Sequence, residues 1–359
     1  MVSSHRRQRP AATTRTRSSR PFIPILVIVV AGASTYWNSL GGSFVWDDQT
    51  SIVTNPTILH LWPLSDPLRP PRETPVAGRP LVNLSFAVNY ALGGLAETGY
   101  HVGNVSIHVA CAMLLFGFVR RTLARPRTGV GGKPGEDEAR ARLTALVAAL
   151  LWMLHPLQSE AVDYITQRSE SLMALFFLLT LYCAQRAHRS AYAGRWQTLS
   201  VLSCACGMAS KESMVTAPLA VLLYDRVFEF NSLGQAVRSR TRLYAGLAAT
   251  WIEVAAFLWQ QPRSTAGLSA AIDPWTYLLN QVQMIGRYLR LSLWPRALVL
   301  DYGLPRPLSI GDVTPDALII VPLVVATGIA LVRWPAVGFL GATFFLTLAP
   351  TSSLIPIVS

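Results

Sequence analysis

Charge is scarce in this chain of 359 residues: 14% are Asp, Glu, Lys or Arg, against 51% that are hydrophobic. That balance lies on the apolar side of ordinary soluble domains and points to a membrane protein. Lysine is almost missing. Lys133 and Lys211 are the two that occur, so arginine supplies 29 of the 31 basic residues, a bias that fits a GC-rich bacterial genome. Cysteine is confined to Cys111, Cys183, Cys204 and Cys206, all inside apolar runs, which excludes a disulfide framework in the loops. One residue separates Cys204 from Cys206, which is not a metal spacing, so the four read as small buried residues. No segment repeats in tandem at a period of about 20–50 residues, which excludes a solenoid. The net charge of +12 does not imply nucleic acid, because the basic residues cluster between apolar runs, where cytoplasmic loops carry them.

From Pro21 to Trp46 there is no charged residue, and then Asp47 and Asp48 arrive together. Ahead of that run, residues 1–20 carry six arginines and no acid and read as a disordered cytoplasmic tail. Residues 21–40 are long enough to cross a bilayer, which takes roughly 20 residues. Ala31-Gly-Ala33 resembles the processing site of a cleavable signal peptide, but the uncharged stretch continues well past it. Residues 41–101 then form a first external loop, with a net charge of −2 over Asp47–Tyr100 and a helix over Pro80–Leu92 lying along the interface. Val102–Val119 returns inward to a loop over 120–142 with seven basic residues, and Leu143–Leu154 and Ser171–Gln185 continue the alternation. Trp196–Tyr224 reads as a hairpin of two short spans with Lys211 and Glu212 at its external turn, followed by a span over Leu243–Gln260. Trp275–Trp294 carries Arg287 and Arg290 and is either a span or an interfacial helix; apolar runs over 318–332 and 335–350 follow. The expected fold is an all-α polytopic membrane bundle of roughly nine or ten spans with external interfacial helices. The chain stops at Ser359 without a polar tail and reads as part of a longer polypeptide.

With that topology Asp47, Asp48, Arg79, His101, His155, Glu160, Arg168, Lys211 and Glu212 all fall at external loops or the outer ends of spans. Ionisable groups near a membrane are costly and are functional candidates by default. Two adjacent carboxylates can serve as general base toward a hydroxyl or hold a divalent cation through oxygen ligands; equally, Asp after a span caps the next helix. If the chain is helical from Ser159, Glu160 and Arg168 lie about two turns apart on one face. An arginine there suits phosphate, and the plain alternative is an internal contact. Lys211 could neutralise a lipid phosphate while Glu212 holds it, or the two form a self-contained ion pair. Glu253 either faces a cavity or is protonated within the bundle. His101 and His108 share a helical face, but no third ligand accompanies them, so zinc is not expected.

Phe44-Val-Trp-Asp-Asp48 with Asn55, then Gly78-Arg-Pro-Leu81, Asn89-Tyr90, Gly99-Tyr-His101, Asn104 and His108 resemble one family in order and spacing. The likeness continues through His155-Pro156, Ser159-Glu-Ala-Val162, Arg168, Ser210-Lys-Glu212, Tyr224-Asp225, Trp294-Pro295, Asp301-Tyr-Gly303 and Leu348-Ala-Pro350. Over about residues 37–359 the chain resembles the transmembrane and tetratricopeptide-repeat containing (TMTC) proteins. The resemblance implies a GT-C glycosyltransferase membrane domain over 21–359, with tetratricopeptide repeats expected beyond 359. It implies transfer of a sugar, mannose in the animal members, from a polyprenyl-phosphate donor to an acceptor hydroxyl, protein Ser or Thr, on the external face.

By the same likeness Asp47 and Asp48 occupy the GT-C acidic motif, so Asp47, Asp48 and Glu160 are the catalytic candidates. Arg79, His155, Arg168, Lys211 and Glu212 are the donor phosphate or sugar candidates. No cofactor is fixed, and a divalent cation on Asp47 and Asp48 is the one candidate. The partners implied are a polyprenyl-phosphate sugar, an acceptor protein and the membrane, without nucleic acid. The expected location is a bacterial inner membrane with the N-terminus cytoplasmic. The rival from another class is a non-enzymatic membrane anchor for a repeat-based interaction domain; a transporter is disfavoured because no inverted repeat is visible. Convergence of the polar residues on one external cavity favours the enzyme, and scattered, self-paired residues favour the anchor.

Overall fold

The computed structural model describes residues 22–125, 134–260, 273–300, 302–303 and 305–352; the tail 1–20 and Asp301 lie outside the described residues. Every regular element among the described residues is helical. The first run forms α1, Ile23–Thr35, shorter than its apolar stretch because the chain tightens into a helical turn over Trp37–Gly41. The stretch after α1, expected to be external, carries a wide helical turn, Gln49–Val53, and then α2, Pro80–Gly93, which starts on proline and stops at Gly94 with φ +59°. Proline suits the first helical position because its missing N–H has no intrahelical acceptor there, and glycine takes a positive φ without a steric penalty.

The helix α3, Glu97–Leu123, runs unbroken for 27 residues, with Glu97 in its first turn and Arg120 and Arg121 in its last. Those charges complement the helix dipole at both ends. Next come α4, Pro134–Met153; a short α5, Gln158–Asp163; and α6, Arg168–Ala187. The expected hairpin is two helices, α7, Ala193–Met208, and α8, Ala217–Phe228, with Lys211 and Glu212 in the turn between them. A short α9, Leu233–Ser239, precedes α10, Thr241–Gln260, and α11, Pro274–Leu293. The last two, α12, Ile310–Arg333, and α13, Pro335–Leu348, are separated by Trp334 alone, since Pro335 disfavours helical backbone at the residue before it.

Three apolar cores hold these helices. Leu243 and Leu247 of α10 meet Tyr224 of α8 and Cys204 of α7 in one; Ile28 of α1, Ala112 of α3 and Ala149 of α4 form the second. In the third, Ile52, Ile58, Phe86 and Tyr100 with Ile165 pin the loop after α1 onto α2 and α3. Cys111, Cys183 and Cys204 are buried, Cys206 is half-buried, and all four are free thiols. His101 and His108 bind the backbone carbonyls of Gly42 and Met153, at 3.1 and 3.0 Å.

By length and hydropathy α3 and α12 are sufficient to cross a membrane, while α1 and α13 are apolar but shorter. The most apolar window of α12 is only 11% buried, with Leu318, Val321, Val325 and Val332 all exposed. Of the roughly nine or ten crossings expected, two therefore meet that standard among the described residues.

A buried ion pair ties the hairpin to α10. Arg240 donates to both carboxylate oxygens of Asp225, at 2.8 and 2.6 Å, and to the Ala184 carbonyl, while the Tyr244 hydroxyl donates to Asp225. Removing one partner leaves an uncompensated buried charge, at about 3–5 kcal/mol. Arg240→Ala should lower unfolding stability by that order, and the double variant Asp225→Leu/Arg240→Met should lose less. Unfolding followed in detergent checks this, and equal losses would show the pair does not act as a unit.

Candidate active site

The acidic pair splits. Trp46 adopts a left-handed φ of +46°, which reverses the chain so that the Asp48 carboxylate folds back onto the Val45 N–H at 3.0 Å. The same carboxylate accepts from the Thr166 N–H at 2.8 Å and the Thr166 hydroxyl at 2.5 Å, and Asp48 is 0% exposed. Burial pushes its carboxyl above the usual value, with those hydrogen bonds and His101 opposing. Asp47 instead faces solvent, its N–H donating to the Tyr164 hydroxyl at 3.0 Å. The two carboxylates therefore do not converge on one point as cation ligands. Among the described residues no group of three or more His, Cys, Asp or Glu side chains is placed to hold a metal ion.

Beside this loop opens a cleft of about 480 Å³. It is lined by the polar side chains of Glu160, Asp163, Tyr164, His101 and Ser39 together with Leu157, Leu291, Leu298, Val299 and Leu300, Tyr288 and Tyr302. Glu160 and Asp163 are three apart on α5 and so share a face. Partial desolvation by the cleft walls raises both carboxyls, although both side chains remain exposed to solvent. Glu170 adds to the effect on Glu160 while Lys211 opposes it; Ser39 and His101 oppose the rise at Asp163. The His101 Nδ1 is buried and has no partner. A second cavity of about 720 Å³ shares Leu291, Val299 and Tyr302 with the cleft and adds Arg287, Arg290, Arg296 and Trp294. Arg287 lies over the Tyr302 ring at 4.5 Å and Arg296 over Trp294 at 5.1 Å, while Arg290 bonds Asp316 at 2.8 Å.

Other sequence candidates lie elsewhere. The chain from Ser159 is not one helix: α5 ends at Asp163, a turn over Ile165–Gln167 intervenes, and Arg168 opens α6. Glu160 and Arg168 accordingly do not share a face. Arg168 is 1% exposed and donates to Asn104 and Asn89 at 2.6 Å each and to the Tyr100 carbonyl at 2.8 Å, with its guanidinium 4.7 Å from the Phe86 ring centre. Gly103 makes the room, since a Cβ there would lie 2.9 Å from the guanidinium. Arg79 pairs with Glu212 at 3.2 Å, and Lys211 with Glu170. His155 accepts the Leu157 N–H at Nδ1 and bonds the Ser292 carbonyl through Nε2, bracing the corner before α5 against the end of α11.

Glu160 and His101 are thus the sequence candidates that line the cleft, and Asp47 is joined to it through its N–H on the Tyr164 hydroxyl. Asp163 and Tyr164 were missed although they follow Glu160 within one turn. Arg287 and Arg290 were noticed only as a topological difficulty, although their three-residue spacing within an apolar helix was the signal.

No family model and no solved structure matches the chain. Curated proteins do. The protein O-mannosyl-transferase Tmtc1 of Drosophila melanogaster is 28% identical over 299 residues, 75% of this chain and 33% of that protein. The protein O-mannosyl-transferases TMTC2 and TMTC4 of Homo sapiens are 32% and 30% identical over 58% and 60% of this chain, which are 24% and 30% of their own lengths. The chain spans about a quarter to a third of these relatives.

The raised carboxyls carry a sign. Folding favours the protonated forms of Glu160 and Asp163, so their contribution is complete below the unfolded carboxylate pKa of about 4 and is lost as pH rises through the folded values. Both side chains are exposed to solvent, which screens the effect, so each ionised carboxylate is only a small cost at neutral pH. Glu160→Gln should raise the thermal unfolding midpoint slightly at pH 7.5 and leave it unchanged at pH 4. A lowered midpoint at pH 7.5 would reveal a stabilising partner for the ionised group.

Proposed function

Because the chain is TMTC-like in sequence, we propose that it is a membrane glycosyltransferase that moves a sugar from a polyprenyl-phosphate donor to a hydroxyl of an acceptor protein. The observation that carries this reading is the contiguity of a carboxylate-lined cleft with an arginine-lined apolar cavity. A sugar meets hydroxyl-accepting carboxylates in the first, and a lipid phosphate meets guanidinium forks beside aliphatic walls in the second. The named activity of the curated relatives supports the same chemistry. The exposed apolar sides of α12 suit lipid rather than water, which supports a membrane protein; the proposed arrangement is GT-C-like, with the cleft on the external side.

In the proposed reaction the acceptor hydroxyl loses its proton to Asp47, its oxygen bonds the anomeric carbon, and the bond from that carbon to the phosphate oxygen breaks. The lipid phosphate leaves with the electron pair, and Arg287 and Arg296 stabilise its growing charge. Glu160 and Asp163 hold sugar hydroxyls. Asp48 acts at one remove: held by Thr166 and Val45, it sets the turn that presents Asp47. Arg168 likewise positions α6 rather than touching the donor. Self-paired Arg79–Glu212 and Lys211–Glu170 favour the rival anchor reading for the hairpin side, where the polar groups have a structural use.

Asp47→Asn should reduce transfer from polyprenyl-phosphate mannose by about 10²–10⁴-fold, the usual worth of a general base, with an unchanged unfolding midpoint. Asp48→Asn should lower the midpoint as well. Near wild-type transfer by Asp47→Asn would sink the assignment, and donor left intact by the wild-type chain, with and without acceptor protein, would favour the anchor.

A further inference from the structure

A third cavity, of about 500 Å³, lies at the other end of α3 and α6. His101 of the cleft and Arg120 of this cavity are 19 residues apart on one helix, about 28 Å along its axis. Arg120, Arg121, Arg125, Arg186 and Arg189 line it, with Glu138 as the one acid among the lining residues. Arginine at helix C-termini is expected from the dipole alone. Three further features exceed that expectation.

The side chains converge on one space from the ends of α3 and α6 and the turn after α6, where scattered surface arginines would diverge. They are held in place by aromatic rings: Arg186 lies 4.3 Å from the Trp196 ring centre and Arg121 5.6 Å from Tyr182. The Nε atoms of Arg120 and Arg121 are buried and have no partner. Leaving a buried cationic donor unbonded is costly, so an acceptor is expected to reach it. The protein acceptors nearby do little for it. Arg120 meets Glu138 at 3.6 Å, an exposed pair, and Glu229 is taken by Arg125 and His188.

We propose that this cavity binds a phosphate-bearing anion. Guanidinium forks match phosphate oxygens in two-point fashion, and with Arg125 spent on Glu229 and the Phe228 carbonyl the other four around Glu138 still leave a net positive enclosure of the right chemistry. The source is either the headgroup of an anionic phospholipid, favoured by the position at the end of a helix long enough to cross a membrane, or a soluble phosphate compound. The proposal is independent of sugar transfer, because no cleft residue takes part.

The test uses the full chain in detergent, with its thermal unfolding midpoint titrated separately by phosphatidylglycerol, by phosphatidylcholine and by inorganic pyrophosphate. The wild type should show a saturable rise with phosphatidylglycerol or pyrophosphate and none with phosphatidylcholine. Arg189→Gln, at an exposed position that does not threaten folding, should weaken the response, and Arg121→Gln/Arg189→Gln should weaken it about tenfold or more, in line with losing charge-assisted contacts. Asp47→Asn should leave it unchanged. A response to phosphatidylglycerol alone assigns the site to a lipid headgroup, and one to pyrophosphate assigns it to a soluble phosphate. No saturable response to either, or the same response in both arginine variants as in the wild type, overturns the proposal.

Discussion

A guanidinium enclosed without a carboxylate in contact is the constraint on which the packing of α2, α3 and α6 rests. Burying Arg168 is expensive, and the cost is offset by acceptors on two other helices: Asn89 on α2, and Asn104 and the Tyr100 carbonyl on α3. Because the donors belong to α6, the hydrogen bonds fix how all three helices are rotated against one another. The planar fork makes this exacting, since each nitrogen points in one direction only. Once α6 is set, the segment just ahead of it presents the Thr166 N–H and hydroxyl to Asp48, and the loop after α1 docks. Asp47, with its N–H on the cleft-lining Tyr164 hydroxyl, is the last link in that sequence of placements.

This dependence explains a division of labour between neighbours that look equivalent in sequence. Asp48 is fully enclosed and saturated by three donors, so its charge serves the loop; Asp47 is exposed to solvent. The cleft then gathers carboxyls that burial holds above their usual range, against a cavity whose arginines lie on aromatic rings. Opposite charges in adjoining compartments, separated by Leu291, Val299 and Tyr302, suit a ligand that is hydroxyl-rich at one end and anionic next to it.

Helical periodicity and charge clustering made much of the fold legible: the hairpin around Lys211 and Glu212, the helix beginning at Pro80 and the break at Arg333-Trp334 follow from short apolar runs and proline placement. The break between α5 and α6 was not legible. Nothing in Ala161–Arg168 forbids a helix, and it is the tertiary demand of Asp48 on Thr166 that uses the turn there. For the same reason Arg168 read as a surface phosphate ligand. Sequence shows a charge at a helix start, while its neutral partners Asn89 and Asn104 lie 79 and 64 residues away. Arg287 and Arg290 were visible, but an apolar helix with two arginines poses a topological question before it suggests a site.

The near-absence of lysine takes on a physical meaning at these positions. Arg168 uses donors toward three acceptors at once, Arg240 grips both oxygens of Asp225 and a carbonyl, and Arg186 and Arg287 lie over aromatic rings. An ammonium group offers a single point charge with no flat face, so it could meet none of those demands in full, and it loses its proton more readily when desolvated. Lys211 is the instructive exception, for it has one partner, Glu170, and sits in a turn rather than between packed helices. Packing therefore makes the arginine bias hard to reverse at these four positions, where each guanidinium is placed so that both its charge and its shape are used.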